Sequence, residues 1–533
     1  MAVTMQVLGA ARTVTGLQLL FETGRTRVLV DCGMFQGPKS LKALNYEPFP
    51  YDPGSIACLL LTHAHVDHAG LIPKLVKAGF PGPVYATRAT VDLCSALLPD
   101  SGHIQEMEVE ALNRRNARRG HAEVTPIYTA EDARAALSSF RPVDPGQWLS
   151  PAPGVRARYW NAGHILGSAS IELELSDGGD APVRVMVSGD IGPDAAALQR
   201  DPEGPSGFDW VVLESTYGDE DRPATDREAR RDRLAAIVRE AWGGTGVLLI
   251  PAFAVERTQE IALDLVELMR RQAIPRFPVF VDSPLAIRAT EVFLAHAAEL
   301  DEGIDLAAAF RTPELRFTET ADESKAIARI ASFHAVIAAS GMCEAGRIRH
   351  HLKRWLHRRD ATVLLAGFQA EGTLGRLLQD GVRAVRIQGE ESLVRARIRR
   401  IDDYSGHADA PELLAWLAAR GPVARGVALV HGEPPAIDAL ADRIEAAAAA
   451  GTMPPVRILK PALDERIDLR DGRTLDAPPN TRPRADPARI GRLDWHNDLS
   501  RLLLDISEAV DRAADEKARG VVIRRLRRAL EDE

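Results

Sequence analysis

The chain has no long apolar run. Within its 533 residues no uninterrupted apolar stretch approaches the roughly 18 residues of a membrane span, so no membrane partner is expected. The first residues, Met1 to Leu8, carry no basic region ahead of an apolar one, which argues against a secretory signal. Cysteine is scarce: Cys32, Cys58, Cys94 and Cys343 are the only four. Their scattered spacing suits reduced, buried thiols in a cytoplasmic protein rather than a disulfide framework or a cysteine metal site. Basic charge is not in excess either. The formal net charge of −9 does not announce a nucleic-acid binder, although a phosphate footprint can be local. No internal repeat or long low-complexity run is present. What remains, 45% hydrophobic and 26% charged residues, is the composition of a globular chain with a large core. Its length fits about three to four units.

Against this background six residues stand out: the run HAHVDH from His63 to His68. The preceding stretch Ala57 to Thr62 reads as a buried strand. On extended chain His63 and His65 point to one side and can grip one metal ion, while Asp67 and His68, on the following turn, can reach a second. Ala69 to Gly79 has helical periodicity. A His-rich polar loop is the bland alternative, but His and Asp at such spacing are usual zinc ligands.

A two-metal site needs roughly six or seven protein donors, so further ligands must come from elsewhere. His164 lies in Asn161 to Ser168, Asp190 ends the strand-like run from Val183, and His431 ends the apolar run from Gly426. Each stands at the carboxyl end of an expected strand beside a glycine, where open α/β folds place ligand-binding residues. Taken singly, each could equally be a turn or capping residue.

With these residues in hand, the chain resembles the metallo-β-lactamase superfamily, through HAHVDH, His164, Asp190 and Asp31 in Val28 to Gly33. It further resembles the β-CASP nuclease branch, which includes bacterial ribonucleases and the eukaryotic pre-mRNA 3′-end cleavage nuclease. Three segments carry that likeness: Leu213 to Gly218, Tyr404 to Asp409 and Leu429 to Glu433 match its motifs A, B and C. The resemblance covers residues 1–469. It implies an α/β fold, a metallo-β-lactamase αββα sandwich interrupted by an inserted α/β β-CASP domain. The expected divisions are 1–215 for the first part of the sandwich, 216–385 for the insertion, 386–469 for the returning part and 470–533 for an extension.

The expected chemistry is hydrolysis of phosphodiester bonds in single-stranded RNA by two zinc ions, giving 5′-phosphate and 3′-hydroxyl ends. Cutting would be endonucleolytic, with a 5′-exonuclease mode left open. His63, His65 and His164 are assigned to one metal, and Asp67, His68 and His431 to the other, with Asp190 bridging. The catalytic candidates are Asp67, which doubles as a ligand, His407, Glu214 and Asp31. His407 is not among the ligands and lies in the cleft motif, so it is the expected general acid. Glu214 would orient it, and Asp31 would partner a ligand histidine. The segment Ala339 to Gly346 reads as a Gly-bearing turn leading into a helix, which can offer N–H groups to an anion. In the β-CASP family this segment lines the phosphate path, so Ser340, Gly341 and Arg347 are the expected RNA contacts. The other basic residues of 347–359 and 395–400 read as solvated helix faces.

Three alternatives stay open. A small-molecule hydrolase of thioester type would use the same metals without needing the insertion or His407. A DNA nuclease of the same branch is the second, although DNA-specific members tend to carry Val where His431 stands. A catalytically dead scaffold is the third, yet no ligand is missing. In the tail, Asp471 to Asp486 has linker composition. Leu499, Leu502, Leu503, Ile506 and Val510 then form an apolar helical stripe, to be buried on the parent domain or in a homodimer.

Overall fold

The structure of the protein is a computed structural model. The structure describes residues 3–475, apart from 25, 38, 121, 180, 195, 197, 223–225, 244, 301–304 and 370–371, together with 510, 519–523 and 525. Most of the expected linker and the helical stripe of the tail therefore lie outside the described residues.

Two sheets stack face to face. The first has eight strands, six of them running from Val3–Val7 to Phe140–Val143, with Arg466–Asp468 and Thr474–Leu475 added from the far end of the chain. The second has seven, from Leu149–Ala152 to Phe208–Glu214, with Val423–Val430 and Ile458–Leu459 returning to it. Strand alternation explains the layering. Val28, Val30, Cys58 and Leu60 face inward against Tyr159, Ile171, Val185, Val212 and Val430. Leu29 and Leu59, one residue out of phase, face outward onto Ile72, Leu75, Leu93 and Leu97, from the helices Ile72–Lys77 and Arg88–Arg119. On the second sheet Val211, Leu213, Val427 and Leu429 face outward onto Leu413, Trp416, Ile437 and Leu440. Period-2 burial on both faces of each sheet thus builds helix, sheet, sheet, helix, as the αββα expectation had it. The expected helix at 69–79 forms as two pieces, Val66–Ala69 and Ile72–Lys77.

The inserted block carries a third sheet of six parallel strands, in the order Leu315–Phe317, Val279–Val281, His334–Ala338, Val247–Pro251, Ala361–Ala366 and Arg397–Ile401. The last strand corrects two expectations. The block does not end at 385, because Arg397–Ile401 pairs with Ala361–Ala366. The arginines of 397–400 lie on an edge strand rather than a helix, where Arg397 and Arg399 bond the backbone and carboxylate of Glu240. An edge strand tolerates charge that an interior one would not, so its polar pattern hid it. Among the described residues no helix is long and apolar enough to cross a membrane, and all four cysteines are free and buried.

One buried node ties the insertion to the returning chain. The Asp264 carboxylate, almost wholly buried, accepts from Arg230 Nε at 2.9 Å, Arg231 Nε at 2.8 Å and the Tyr404 hydroxyl at 2.8 Å. Removing one partner of a buried ionic cluster leaves the others uncompensated, so Asp264→Ala is expected to destabilise the fold by about 3–5 kcal/mol. Urea unfolding checks this; a loss under about 1 kcal/mol would show that the arginines find other partners.

Candidate metal centre between the two blocks

Every residue of the centre hangs from the carboxyl end of a strand. Cys58–Leu60 lies between two parallel neighbours and delivers Thr62 and the HAHVDH run. Next to it, Thr26–Val30 ends at Asp31, whose φ of 60° turns the chain sharply. Asp31 then accepts from the Thr62 backbone N–H and hydroxyl, each at 2.8 Å, and lies 2.7 Å from His68 Nδ1. Gly33 makes the tight packing possible: a β-carbon there would sit 1.6 Å from the Asp67 carbonyl oxygen. In the second sheet Val183–Val187 leads to Asp190, Phe208–Glu214 ends on Glu214, and Val423–Val430 leads to His431. Glu214 and Val430 are register partners on parallel strands.

The seven expected ligands converge in two groups, and Glu214 and His407 make a third with Asp190. His63, His65, His164 and Asp190 can each offer one ligand atom within 4.8 Å of one another, and so can Asp67, His68 and His431. His63 Nε2 and His164 Nε2 both lie 3.1 Å from His65 Nδ1, and both lie 3.6 Å from Asp190 Oδ2. On the other side His68 Nε2 is 3.3 Å from His431 Nε2 and 3.2 Å from Asp190 Oδ1, while His431 Nε2 is 3.7 Å from Asp67 Oδ2. Asp190 thus has one oxygen toward each group.

The chemistry of this donor set fits metal ions. Three ring nitrogens meet at one point, and a single proton can satisfy only one pair of them. The Oδ1 of Asp190 is buried and accepts no hydrogen bond of good geometry, although His68 Nε2 lies 3.2 Å away. Burial, reinforced by neighbouring imidazoles, lowers the pKa of His63 and His164 well below the ordinary range and takes His65 to about 4, so all three rings are neutral, as ligands must be. His68 goes the other way. Burial disfavours its charge, but Asp190 and Asp31 outweigh burial and hold the ring protonated well above its usual range; the pocket demands positive charge. Outer hydrogen bonds fix the rings. The far nitrogens of His63, His68, His164 and His431 face the Thr62 hydroxyl, Asp31, the Gly406 carbonyl and the Thr216 hydroxyl at 3.1, 2.7, 2.6 and 3.1 Å. Such partners set the tautomer and aim the other nitrogen at the centre.

His407 stands at the rim, 17% exposed. Its Nδ1 lies 3.2 Å from both oxygens of Glu214, and its Nε2 lies 3.8 Å from Asp190 Oδ2. Burial would lower its pKa, yet Glu214 and Asp190 prevail and the ring is held above the ordinary range. Glu214 is fully buried and also accepts from the Ile191 N–H at 2.6 Å.

The three expected RNA contacts part company. Ser340 and Gly341 lie in the turn ahead of the helix Ile348–Trp355. The Ser340 hydroxyl accepts from the Ala345 N–H at 3.1 Å, and Gly341 packs so closely on Phe253 that a β-carbon would come within 2.9 Å of the ring. The Phe253 ring in turn lies 6.2 Å from that of His65. Arg347 departs from expectation. Its guanidinium donates to Asp282 Oδ1 at 2.7 Å, to the Thr318 carbonyl at 3.0 Å and to the Glu319 carbonyl at 2.6 Å. Asp282 is wholly buried and needs that counter-charge, with His351 Nε2 2.6 Å from its other oxygen. Arg347 is a brace within the inserted block rather than a free phosphate ligand. Phe253 and Glu256, between strand Val247–Pro251 and helix Arg257–Arg270, were not anticipated. Their position at a strand's carboxyl end was the available signal.

Three families match the chain in order: residues 12–193 match the metallo-beta-lactamase superfamily, 258–378 the Beta-Casp domain, and 393–454 the Zn-dependent metallo-hydrolase RNA specificity domain. Ribonuclease TTHA0252 of Thermus thermophilus is 38% identical over 431 residues, which is 80% of this chain and 92% of that protein. The transcription termination factor FttA of Thermococcus kodakarensis is 31% identical over 450 residues, 80% of this chain and 66% of that protein. Its counterpart from Methanocaldococcus jannaschii is 28% identical over 447 residues, 81% of this chain and 67% of that one. A crystal structure of a protein of unknown function from Enterococcus faecalis V583 shares the fold with a TM-score of 0.50 at 12% identity, over 88% of this chain and 100% of that one.

If Asp31 aims His68 at the centre, Asp31→Ala should leave the chain folded but weaken zinc binding by about 10–100-fold. Competition with a chromogenic chelator reads this directly. Unchanged affinity would show that His68 needs no such support.

Proposed function

Because the chain belongs to the β-CASP nuclease branch of the metallo-β-lactamase superfamily, we propose that it is a two-zinc endoribonuclease acting on single-stranded RNA, with 5′-phosphate and 3′-hydroxyl products. The observation that carries this reading is the pair of converging donor groups flanked by the His407–Glu214 pair. The match of residues 393–454 to an RNA specificity domain favours RNA over DNA, as does the ribonuclease relative. The four buried free thiols suit a reducing, cytoplasmic setting.

In this reading His63, His65, His164 and Asp190 hold one ion, and Asp67, His68, His431 and Asp190 the other. When bound, the ions supply an acidified water as nucleophile and offset negative charge on the phosphate. The protein's own groups do the rest. Asp31 and Thr216 keep the His68 and His431 rings in place. Water gives up a proton to solvent and adds to phosphorus, the bond to the 3′-oxygen breaks, and His407 gives that oxygen a proton from Nε2. Glu214 holds the opposite nitrogen and favours the protonated ring that the step consumes. The Ser340–Gly341 turn and Phe253 form the wall along which the scissile phosphate lies, and Arg347, just beyond that turn, ties the following helix to Asp282, Thr318 and Glu319.

Three experiments test the proposal. Purified protein should cut end-labelled single-stranded RNA, and chelation should abolish cutting. His407→Ala should keep its metal and lose about 10²–10⁴-fold in rate; loss of an ion would make His407 a ligand instead, and a wild-type rate would remove it from the reaction. In this reading the scissile phosphate reaches the metal centre between the two blocks, an approach that suits a single strand threading in rather than a duplex. Rates on a fully paired version of the same RNA should therefore fall to background, and equal rates would contradict that approach.

A further inference from the structure

The loop joining the strand Val247–Pro251 to the helix Arg257–Arg270 contains a backbone oddity that the proposed reaction does not use. Glu256 has φ 69° and ψ −66°. The Arg257 N–H bonds the Val255 carbonyl across it at 2.9 Å. This is the γ-turn of positive φ, rare and strained for any residue with a side chain. The side chain is also costly. It is 3% exposed, and the nearest cation, Arg257, is engaged with Glu260 at 2.8 Å. Burial and the nearby Glu260 push its pKa up to about 8. A strained backbone under a buried carboxyl group persists only where its surroundings enforce it.

Those surroundings are the loops that carry two proposed ligands. Glu256 Oε2 accepts from the Leu166 N–H at 3.1 Å, two residues beyond His164. Both oxygens accept from Gln199 Nε2 at 2.9 Å, and Gln199 lies on the segment that follows Asp190. The same short loop presents Phe253 to His65. The His164 loop is held from within by the His164 and Ile165 N–H groups, which donate to Ser168 Oγ at 3.0 and 3.2 Å, and from the first block by the Thr87 and Thr90 hydroxyls, which donate to the Gly167 carbonyl at 2.6 and 2.9 Å; Glu256 adds a bond from the inserted block.

We infer that Glu256 is a positioning residue: from the inserted block it latches the His164 loop and the segment after Asp190, and so fixes the His164 side of the metal centre. The inference rests on the reading that His164 and Asp190 hold metal. It means that the insertion does more than wall the cleft, because the metal pocket is completed by a bond across the boundary between the blocks.

Three variants of the full chain test it, each measured for zinc affinity by chelator competition, for melting temperature after metal removal, and for single-turnover cleavage of single-stranded RNA. Glu256→Gly removes the latch and also relieves the strain, since glycine accepts this backbone freely. Its metal-free melting temperature should match or exceed that of the wild type, while its zinc affinity falls about tenfold or more and cleavage falls with it. Glu256→Gln keeps an acceptor for the Leu166 N–H, and the Gln199 amide can turn to meet the new amide, so it should stay within about threefold of wild type in both. Arg288→Ala removes a different contact between the blocks, the 2.9 Å pair with Asp100, and should leave zinc affinity unchanged. Wild-type zinc affinity in Glu256→Gly, or equal losses in Glu256→Gln and Glu256→Gly, would overturn the inference. An equal loss in Arg288→Ala would also overturn it, by showing that any loosening of the interface suffices. A wild-type protein that binds no zinc would instead defeat the proposed function on which the inference stands.

Discussion

The structure turns on Asp190, a carboxylate that is 2% exposed and surrounded by histidines. Burial alone would raise its pKa, yet His431, His68 and His407 hold it far below the usual carboxylate range. A buried anion persists only if positive charge is supplied beside it. Around Asp190 that charge can come from a proton, as on His68, or from bound cations. The ring nitrogens of His63, His65 and His164 are too close together for protons to satisfy them all. Metal ions resolve both problems at once, and the surrounding fold can be understood as the apparatus that holds these groups against their mutual repulsion.

Three features of the fold serve that end. Parallel strands bring Asp31 beside Thr62, and Glu214 beside Val430 and the start of the His431 loop, so loops far apart in sequence share one edge of the sandwich. Hydroxyls, a carboxylate and a carbonyl take up the outer nitrogens of four rings, which aims the inner ones. The inserted block then packs over that edge, with an apolar layer running continuously from Leu29 and Leu59 into Ile250, Leu265 and Phe293. Asp264 pins the segment that bears His407, because Tyr404 binds it from three residues upstream. The site is thus an interface as much as a pocket, consistent with function being grafted onto the ends of elements rather than built into a core.

Much of this was legible in the sequence. The HAHVDH run could be read because first contacts to a metal must follow a buried strand at short range. His164, Asp190 and His431 were legible because each interrupts an apolar run at the point where a strand must end. The sandwich was implied by the family resemblance of these motifs, and the period-2 burial that builds it is seen in the structure. What escaped reading depends on partners remote in sequence. Arg347 looked like an anion contact at a turn, but its role is set by Asp282, 65 residues earlier. Glu256 does not stand out in the sequence at all, and its partners lie 90 and 57 residues away. The strand Arg397–Ile401 was hidden by arginines that an edge position tolerates. Propensity and periodicity describe a segment and its immediate neighbours; they do not say which distant carboxylate must be neutralised.

The central claim is that seven side chains on four strand ends form one two-metal centre bridged by Asp190. Anomalous diffraction at the zinc edge, from crystals grown with zinc, tests it most directly. The account predicts two peaks, one among His63, His65 and His164, the other among Asp67, His68 and His431, with an Asp190 oxygen toward each. A single peak, or zinc bound away from Asp190, would contradict it.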